Sequence, residues 1–533
     1  MDDSARIIDE QTALRRARML NLPYEDTSKQ KIDLYPDVIS LVEMYQLKIV
    51  PLYSDEHNIH FGITNNTSQS TMNNLRQRFA DQRLEFAIIS DSGYRELMRR
   101  YDPPKAVVYN DINISSAKES DQISAVSQTL TQVRADDMLA YIVSQAYRLQ
   151  ASDIHLENQN DRVRIRFRVD GVLHPIAEIS SEKYHQLISS LAVAANVSTR
   201  SDDAQTGHIN KEYKMADGNK VAVNLRVETV PAIYGMDVVL RLFNLRPELM
   251  RLESLGLKDD EKEIIDDIIS HPNGLVLVVG PTGSGKTTTL YSIINELNKP
   301  ERKIITLEDP VEYYIRGITQ IPVVSRNEVN GFAEKFRAVL RLDPDVIMVG
   351  EIRDNDTAKT ALQSALTGHL VLSTYHAASA TAALTRLLDS IGESNPLFAS
   401  AIRLITAQRL VRRLDDKTKQ AYKPDEKTIN WLGHIVENLP KDMQIPDLDK
   451  IQLFHPGESA ENPFGYSGQF AVRELLLMTP AMQNELRKPF GETSTEALES
   501  IAIDDGMVTI LQAGVLRAIS GETSLEEILR VLD

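Results

Sequence analysis

The chain reads as an α/β protein: a parallel sheet with helices on both faces, preceded by two smaller mixed domains. Three observations lead there. Short apolar runs at 275–279, 303–307, 346–349 and 370–373 alternate with helical segments, the pattern of buried strands joined by crossover helices. A glycine-rich turn follows the first of these runs directly, and a helical pattern follows the turn. Upstream, Val163-Arg164-Ile165-Arg166-Phe167-Arg168-Val169 alternates strictly, so a strand there puts apolar side chains on one face and three arginines on the other.

Size and composition agree with several packed domains. A chain of 533 residues corresponds to roughly three or four domains, and 42% apolar residues suffice for a sizeable core. Acidic residues number 76 against 59 basic ones, a formal charge of −17. That balance argues against sequence-independent binding to duplex DNA as the main role, because such binding runs on excess Lys and Arg. Cysteine is absent, which removes disulfides, thiol catalysis and thiolate zinc sites and fits a reducing compartment. No apolar run approaches the roughly 18 residues that span a bilayer. Met1-Asp2-Asp3-Ser4 does not open a secretory signal. A cytoplasmic location is expected.

In chain order, 47–52 and 60–63 read as strands and 71–79 as a helix, giving a small α/β domain over 1–101. Residues 102–128, rich in Ser, Asp, Asn and Gln, read as a linker. The second domain covers 129–246. It opens on a helix over 135–150, continues through the 163–169 strand with a tight turn at Asp170-Gly171, and adds strands at 221–230 and 238–243. The parallel sheet occupies 247–414. Residues 415–464 are polar with five prolines and are expected to be irregular. The remainder, 465–533, reads as helical, its last helix starting at Thr523 as N-cap with Glu526 completing a capping box.

Gly280-Pro281-Thr282-Gly283-Ser284-Gly285-Lys286-Thr287 matches the phosphate-binding pattern GxxxxGK[ST]. Glycines let backbone N–H groups approach phosphate oxygens where side chains would obstruct. Lys286 would reach the β- and γ-phosphates, the Thr287 hydroxyl would bind Mg²⁺, and Thr288 follows in the first turn. The dipole of the helix adds attraction for the anion. Hydrolysis further needs a carboxylate to organise metal and one to orient water. Glu308 and Glu351 both follow strands, where parallel sheets place their ligands; Glu351 is also a candidate metal ligand. His369 and His376 flank the 370–373 run as candidate sensors of the γ-phosphate.

In order, these segments resemble the type II/type IV secretion ATPase family (GspE/PilB-like). The resemblance covers 135–414 closely. Ala151-Ser152-Asp153-Ile154-His155-Leu156-Glu157 is similar to the family's ASDIHxE segment, and Arg168-Val169-Asp170-Gly171 to its R[IV]DG motif. Ile305-Thr306-Leu307-Glu308-Asp309-Pro310-Val311-Glu312 resembles its acidic box, and the segment from Asp343 to Asp354 its atypical Walker B. The segment from Leu366 to His376 resembles its His box, and that from Ala407 to Leu414 its closing helix. The resemblance implies a RecA-like P-loop NTPase core after a PAS-like α+β domain. It also implies ATP and Mg as ligands, and a homohexamer whose second domain leans over a neighbouring subunit's nucleotide. Arg226 and Arg241 match the arginines that would neutralise the transferring phosphoryl group.

The first domain resembles that of extension and secretion motors rather than of retraction motors, through 21–24 and 49–52. Relatives carry a four-cysteine zinc site; here Asp415, Thr418, Glu458 and Glu461 stand near those positions, and such oxygen ligands predict no zinc. Gln205-Thr206-Gly207-His208 replaces a QDGR-like turn. The expected function is a hexameric ATPase driving assembly of a type IV pilus or type II pseudopilus. Through its first two domains it would engage an inner-membrane platform protein, held peripherally and without direct nucleic-acid contact. The alternatives are a DNA-uptake or translocation motor of the same family and a non-catalytic ATP-binding module.

Overall fold

The computed structural model describes residues 3–27, 32–65, 67–102, 112, 119–133, 135–199, 201–214, 220–243, 250–323, 331–391, 396–441, 443–459, 462, 464–488 and 493–532. Its contacts divide into two compact units, one of 1–110 with 132–134, the other of 111–131 with 135–533. No described helix is long and apolar enough to cross a membrane.

The first unit is a three-stranded sheet, Ile49–Ser54 antiparallel to Asn58–Ile63, which pairs in parallel with Arg83–Ile88. Helices Asp3–Leu20, Leu41–Leu47, Gln69–Arg78 and Asp91–Tyr101 accompany it. Ser40, Ser68 and Ser90 cap the last three by accepting an N–H bond three residues on, the usual role of serine at that position. Leu47 belongs to a helix rather than to the expected strand. The linker expectation needs correction too. Helix Glu119–Gln132 takes in its last ten residues, and most of the rest lies outside the described residues.

The second unit carries two sheets. In the six-stranded antiparallel one the order is Val172–Ile179, Val163–Val169, Asp153–Asn158, Gly235–Leu242, Lys220–Ala232, Gln205–Lys214. Ile154, Leu156, Ile165, Phe167, Leu225, Val227 and Leu240 are buried on its apolar face; the arginines take the other, as alternation dictates. Gln205-Thr206-Gly207-His208 is strand rather than turn. Asp170 and Gly171 both have positive φ, as a two-residue hairpin turn of the primed type needs.

The larger sheet runs Thr319–Pro322, Ile304–Glu308, Val346–Val349, Leu370–Tyr375, Gly274–Val279, Ile402–Leu414, Tyr466–Leu477. All its pairings are parallel except the last. Apolar clusters cover both faces, one centred on Leu277, Ile347 and Phe336, the other on Val276, Leu290 and Met348. Three expectations fail in this half. Residues 407–414 form a strand, not a helix. The segment 415–464 holds helix Glu426–Val436, capped by Asp425, and an antiparallel pair of short strands, Gln420–Tyr422 with Leu453–His455. The C-terminal part begins with a twelve-residue strand, Tyr466–Leu477, before its helices.

The final helix, Leu525–Leu532, starts one residue later than expected. Ser524 Oγ accepts from the Glu527 N–H at 3.2 Å, while the Thr523 hydroxyl donates to the Arg412 carbonyl. Glu527 is buried between two guanidinium groups, accepting from Arg412 at 2.7 and 3.1 Å and from Arg530 at 2.6 and 2.8 Å. Burial alone would raise its pKa, but the arginine bonds outweigh it and hold the carboxyl below the usual carboxylate range. A depressed folded-state pKa stabilises above the unfolded value and loses that contribution as pH falls. Replacing Glu527 with alanine should therefore cost about 1–3 kcal/mol at pH 7, because the largely buried Arg412 loses its anion while Arg530 stays open to solvent. The cost should shrink steadily between about pH 5 and pH 3. Urea unfolding followed by the fluorescence of Trp431, the single tryptophan, which packs against the same cluster, measures both.

Candidate functional site

The carboxyl edge of the parallel sheet gathers the chemistry. The chain leaves the Gly274–Val279 strand at Gly280 and enters helix Lys286–Leu297 at Gly285. Gly280 and Gly285 have φ of 152° and 83°. A Cβ on Gly280 would lie 2.6 Å from the Gln408 carbonyl oxygen, so glycine is required there for conformation and space together. Ser284 Oγ is buried with no hydrogen-bond partner among the described residues, and an orphaned buried hydroxyl is the kind of group an absent ligand oxygen would satisfy. The Lys286 ammonium donates to the carbonyls of Gly280 and Pro281 at 3.0 and 2.9 Å. Burial lowers its pKa, opposed by the nearby Glu351 carboxylate. Thr282 and Gly283 complete the loop, and Thr288 continues the helix, its carbonyl accepting from Ser292.

Gln408 holds this loop from the adjacent strand. Its amide donates to the Ser284 carbonyl at 2.6 Å and accepts from the Thr289 hydroxyl at 2.9 Å. The parallel pairing of Ile402–Leu414 with Gly274–Val279 places it there. A helix at 407–414 would have had no such register.

The acidic box distributes its glutamates differently from expectation. Glu308 closes the Ile304–Glu308 strand but is buried, accepting from Tyr291, Thr306 and Gln320. Both its oxygens are engaged by the protein, so it holds the inside of the sheet together. Glu312, four residues on, is partly buried and accepts from the Thr287 hydroxyl. Burial and the neighbouring Glu308 push its carboxyl up, while Arg241, Arg226 and Thr287 pull the other way.

Glu351 follows the Val346–Val349 strand, forms an ion pair with Arg353 and has His376 Nε2 3.5 Å from its carboxylate. His376 therefore belongs to the site. His369 does not. It precedes the Leu370–Tyr375 strand, its Nδ1 3.1 Å from the Ser364 carbonyl, at the sheet edge opposite the loop. Five residue steps at ~3.3 Å separate the strand's ends by about 17 Å, so the sensor expectation for His369 is corrected to a helix-end contact.

Arg226 and Arg241 face each other directly across neighbouring strands. Each lies close enough to the chain's own Glu312 to favour its ionised form. Both guanidinium groups thus bear on the acidic segment of the same chain, whose Glu312 accepts from Thr287 of the phosphate loop. The two domains also touch at the Asp170 hairpin, where the His174 and Phe464 rings lie 4.5 Å apart. Residues the sequence reading passed over are Glu312, Gln408 and Asp153, each quoted only as part of a longer segment. Among the described residues no cluster of three His, Cys, Asp or Glu side chains is set to hold a metal.

A phosphate loop on an interior strand of a mostly parallel, helix-covered sheet defines a RecA-like nucleotide-binding domain. The profile of the family described as Type II/IV secretion system protein matches residues 131–530, and the chain belongs to that family. It is 37% identical over 421 residues to the type II secretion system protein E of Xanthomonas campestris pv. campestris, covering 78% of this chain and 70% of the relative. To the protein of the same description from Pseudomonas aeruginosa it is 36% identical over 467 residues, with 85% and 88% covered. The solved ATPase DotB of Legionella pneumophila matches with a TM-score of 0.54 at 22% identity, covering 74% of this chain and 95% of that one, a likeness of fold.

The clamp on the loop is open to measurement. Gln408→Leu keeps the volume but removes both bonds, each worth about 1 kcal/mol, so nucleotide dissociation constants should rise about 10-fold or more with ADP and ATP alike. Titration with a fluorescent ADP analogue checks this.

Proposed function

We propose that this chain hydrolyses ATP to drive assembly of a type II secretion pseudopilus or a type IV pilus. One observation carries the reading: Glu351 acts on Lys286 of the phosphate loop, and Glu312, bonded to Thr287 of the same loop, feels both Arg226 and Arg241. Membership of the family and the relatives' descriptions support the machine. We place the hydrolytic site within one chain and expect a homohexamer, docked peripherally on an inner-membrane platform protein.

The division of labour follows from the contacts. Lys286 would exchange the carbonyls of Gly280 and Pro281 for phosphate oxygens, a better partner for an ammonium held in a half-buried site. Thr287 and Glu312, already bonded to each other, are the pair suited to hold Mg²⁺, so Glu312 takes the metal role expected of Glu351. The ion would neutralise charge on the β- and γ-phosphates. Glu351 is left to orient the attacking water and accept its proton as the bond from phosphorus to the leaving β-oxygen breaks. His376 and Arg353 hold that carboxylate in place. Arg226 and Arg241 offset the charge spread over the equatorial oxygens in the transition state. Glu308 has no part in the reaction and stabilises the sheet.

Steady-state turnover by the purified full chain with Mg·ATP tests the reading. Lys286→Ala should lower kcat/KM about 10³-fold, and Glu351→Gln should lower kcat about 10²–10³-fold with ATP still bound. Wild-type turnover no faster than that of Lys286→Ala would overturn it in favour of a nucleotide holder.

A further inference from the structure

Arg226 and Arg241 are bound to carboxylates in the same way. Arg241 donates through Nε to Asp153 Oδ1 at 2.9 Å, and Arg226 through Nε to Glu228 Oε1 at 2.5 Å. The second oxygen of each carboxylate is fixed by a hydroxyl. Ser152 Oγ donates to Asp153 Oδ2 at 2.8 Å, and Thr206 Oγ1 to Glu228 Oε2 at 2.7 Å. Two relays therefore run side by side on one sheet face, hydroxyl to carboxylate to guanidinium.

The register explains why they are needed. Arg168, Asp153, Arg241, Arg226 and His208 form one row across five strands, each opposite the next. Like charges directly opposite one another repel, and Arg226 and Arg241 are such a pair. A bond to Nε fixes the plane of a guanidinium while leaving its two terminal nitrogens, the pair that matches a phosphate edge, to face outward. Asp153 is almost fully buried, so its own position is set by the sheet rather than by solvent.

We infer that Asp153 and Glu228 are positioning residues for hydrolysis, holding Arg241 and Arg226 by Nε so that their terminal nitrogens present a preformed bidentate edge to the γ-phosphate. The inference rests on the proposed role of the two arginines. It also separates Asp153 and Glu228 from Glu157, which on the same face bonds Arg164 and Arg166 and has no part in aiming the other two.

Turnover and ADP affinity are measured on the full chain for Asp153→Asn, Arg241→Ala and the double variant, with Glu157→Gln as control. A misaimed guanidinium should lower kcat about 10–100-fold, while ADP, which lacks the γ-phosphate, keeps its affinity within about 2-fold. In the Arg241→Ala background Asp153→Asn should then change nothing more, because its effect passes through Arg241. An equal loss in both backgrounds, or a single variant with wild-type kcat, overturns the inference. Wild-type kcat in Arg241→Ala overturns the functional reading beneath it instead. The Glu228→Gln and Arg226→Ala cycle applies the same criteria to the second relay should Asp153→Asn fail to fold.

Discussion

Two arginines set directly opposite each other on a sheet are a standing electrostatic cost, and the architecture of the second unit is organised around it. Arg226 and Arg241 repel at cross-strand distance, an arrangement that favours an anion between them. Asp153 and Glu228 take part of the charge from behind. Glu312 takes part from in front. That frontal carboxylate is bonded to Thr287 in the phosphate loop, so the two domains meet through opposite charges at the point where a triphosphate would add more negative charge.

The other half of the site depends on a strand pairing. Ile402–Leu414 lies parallel to the strand that enters the phosphate loop, and Gln408 reaches from it to both sides of the loop. The same strand continues to Arg412, which bonds Glu527 in the last helix and acts on the partly buried Asp170 of the R[IV]DG hairpin. One extended element therefore touches the nucleotide cradle, the C-terminal helices and the second domain. No metal cluster is among the described residues of this region; the apolar cluster around Leu432, Val436, Leu453 and Val515 and the Glu527 ion pairs hold it together.

Periodicity and motif spacing carried the reading of the parallel sheet, the phosphate loop and the alternating strand of arginines, since each is written in local sequence. What they missed was decided by tertiary partners. Ala407, Val411 and Leu414 are buried at i, i+4, i+7, a spacing that suits a helix, and only pairing with Gly274–Val279, which also buries Gln408 on the other face, makes 407–414 a strand. The 426–436 helix was obscured by prolines around it, although Asp425 and Thr428 form an ordinary N-cap. Glu308 and Glu312 differ by four residues in one acidic box, and only the Tyr291, Thr306 and Gln320 donors show which of them is turned inward. His369 and His376 bracket the same strand, and strand direction alone assigns them to opposite edges of the sheet.

The central claim is that one chain supplies both the phosphate loop and the arginines that close it. Mixing Lys286→Ala and Arg241→Ala subunits, each nearly inactive alone, measures it directly. If the site lies within one chain, every subunit in a mixed assembly is defective and turnover at all ratios stays at the sum of the parents. Recovery of turnover that peaks at equal ratios would place the arginines over a neighbour's nucleotide and contradict the account.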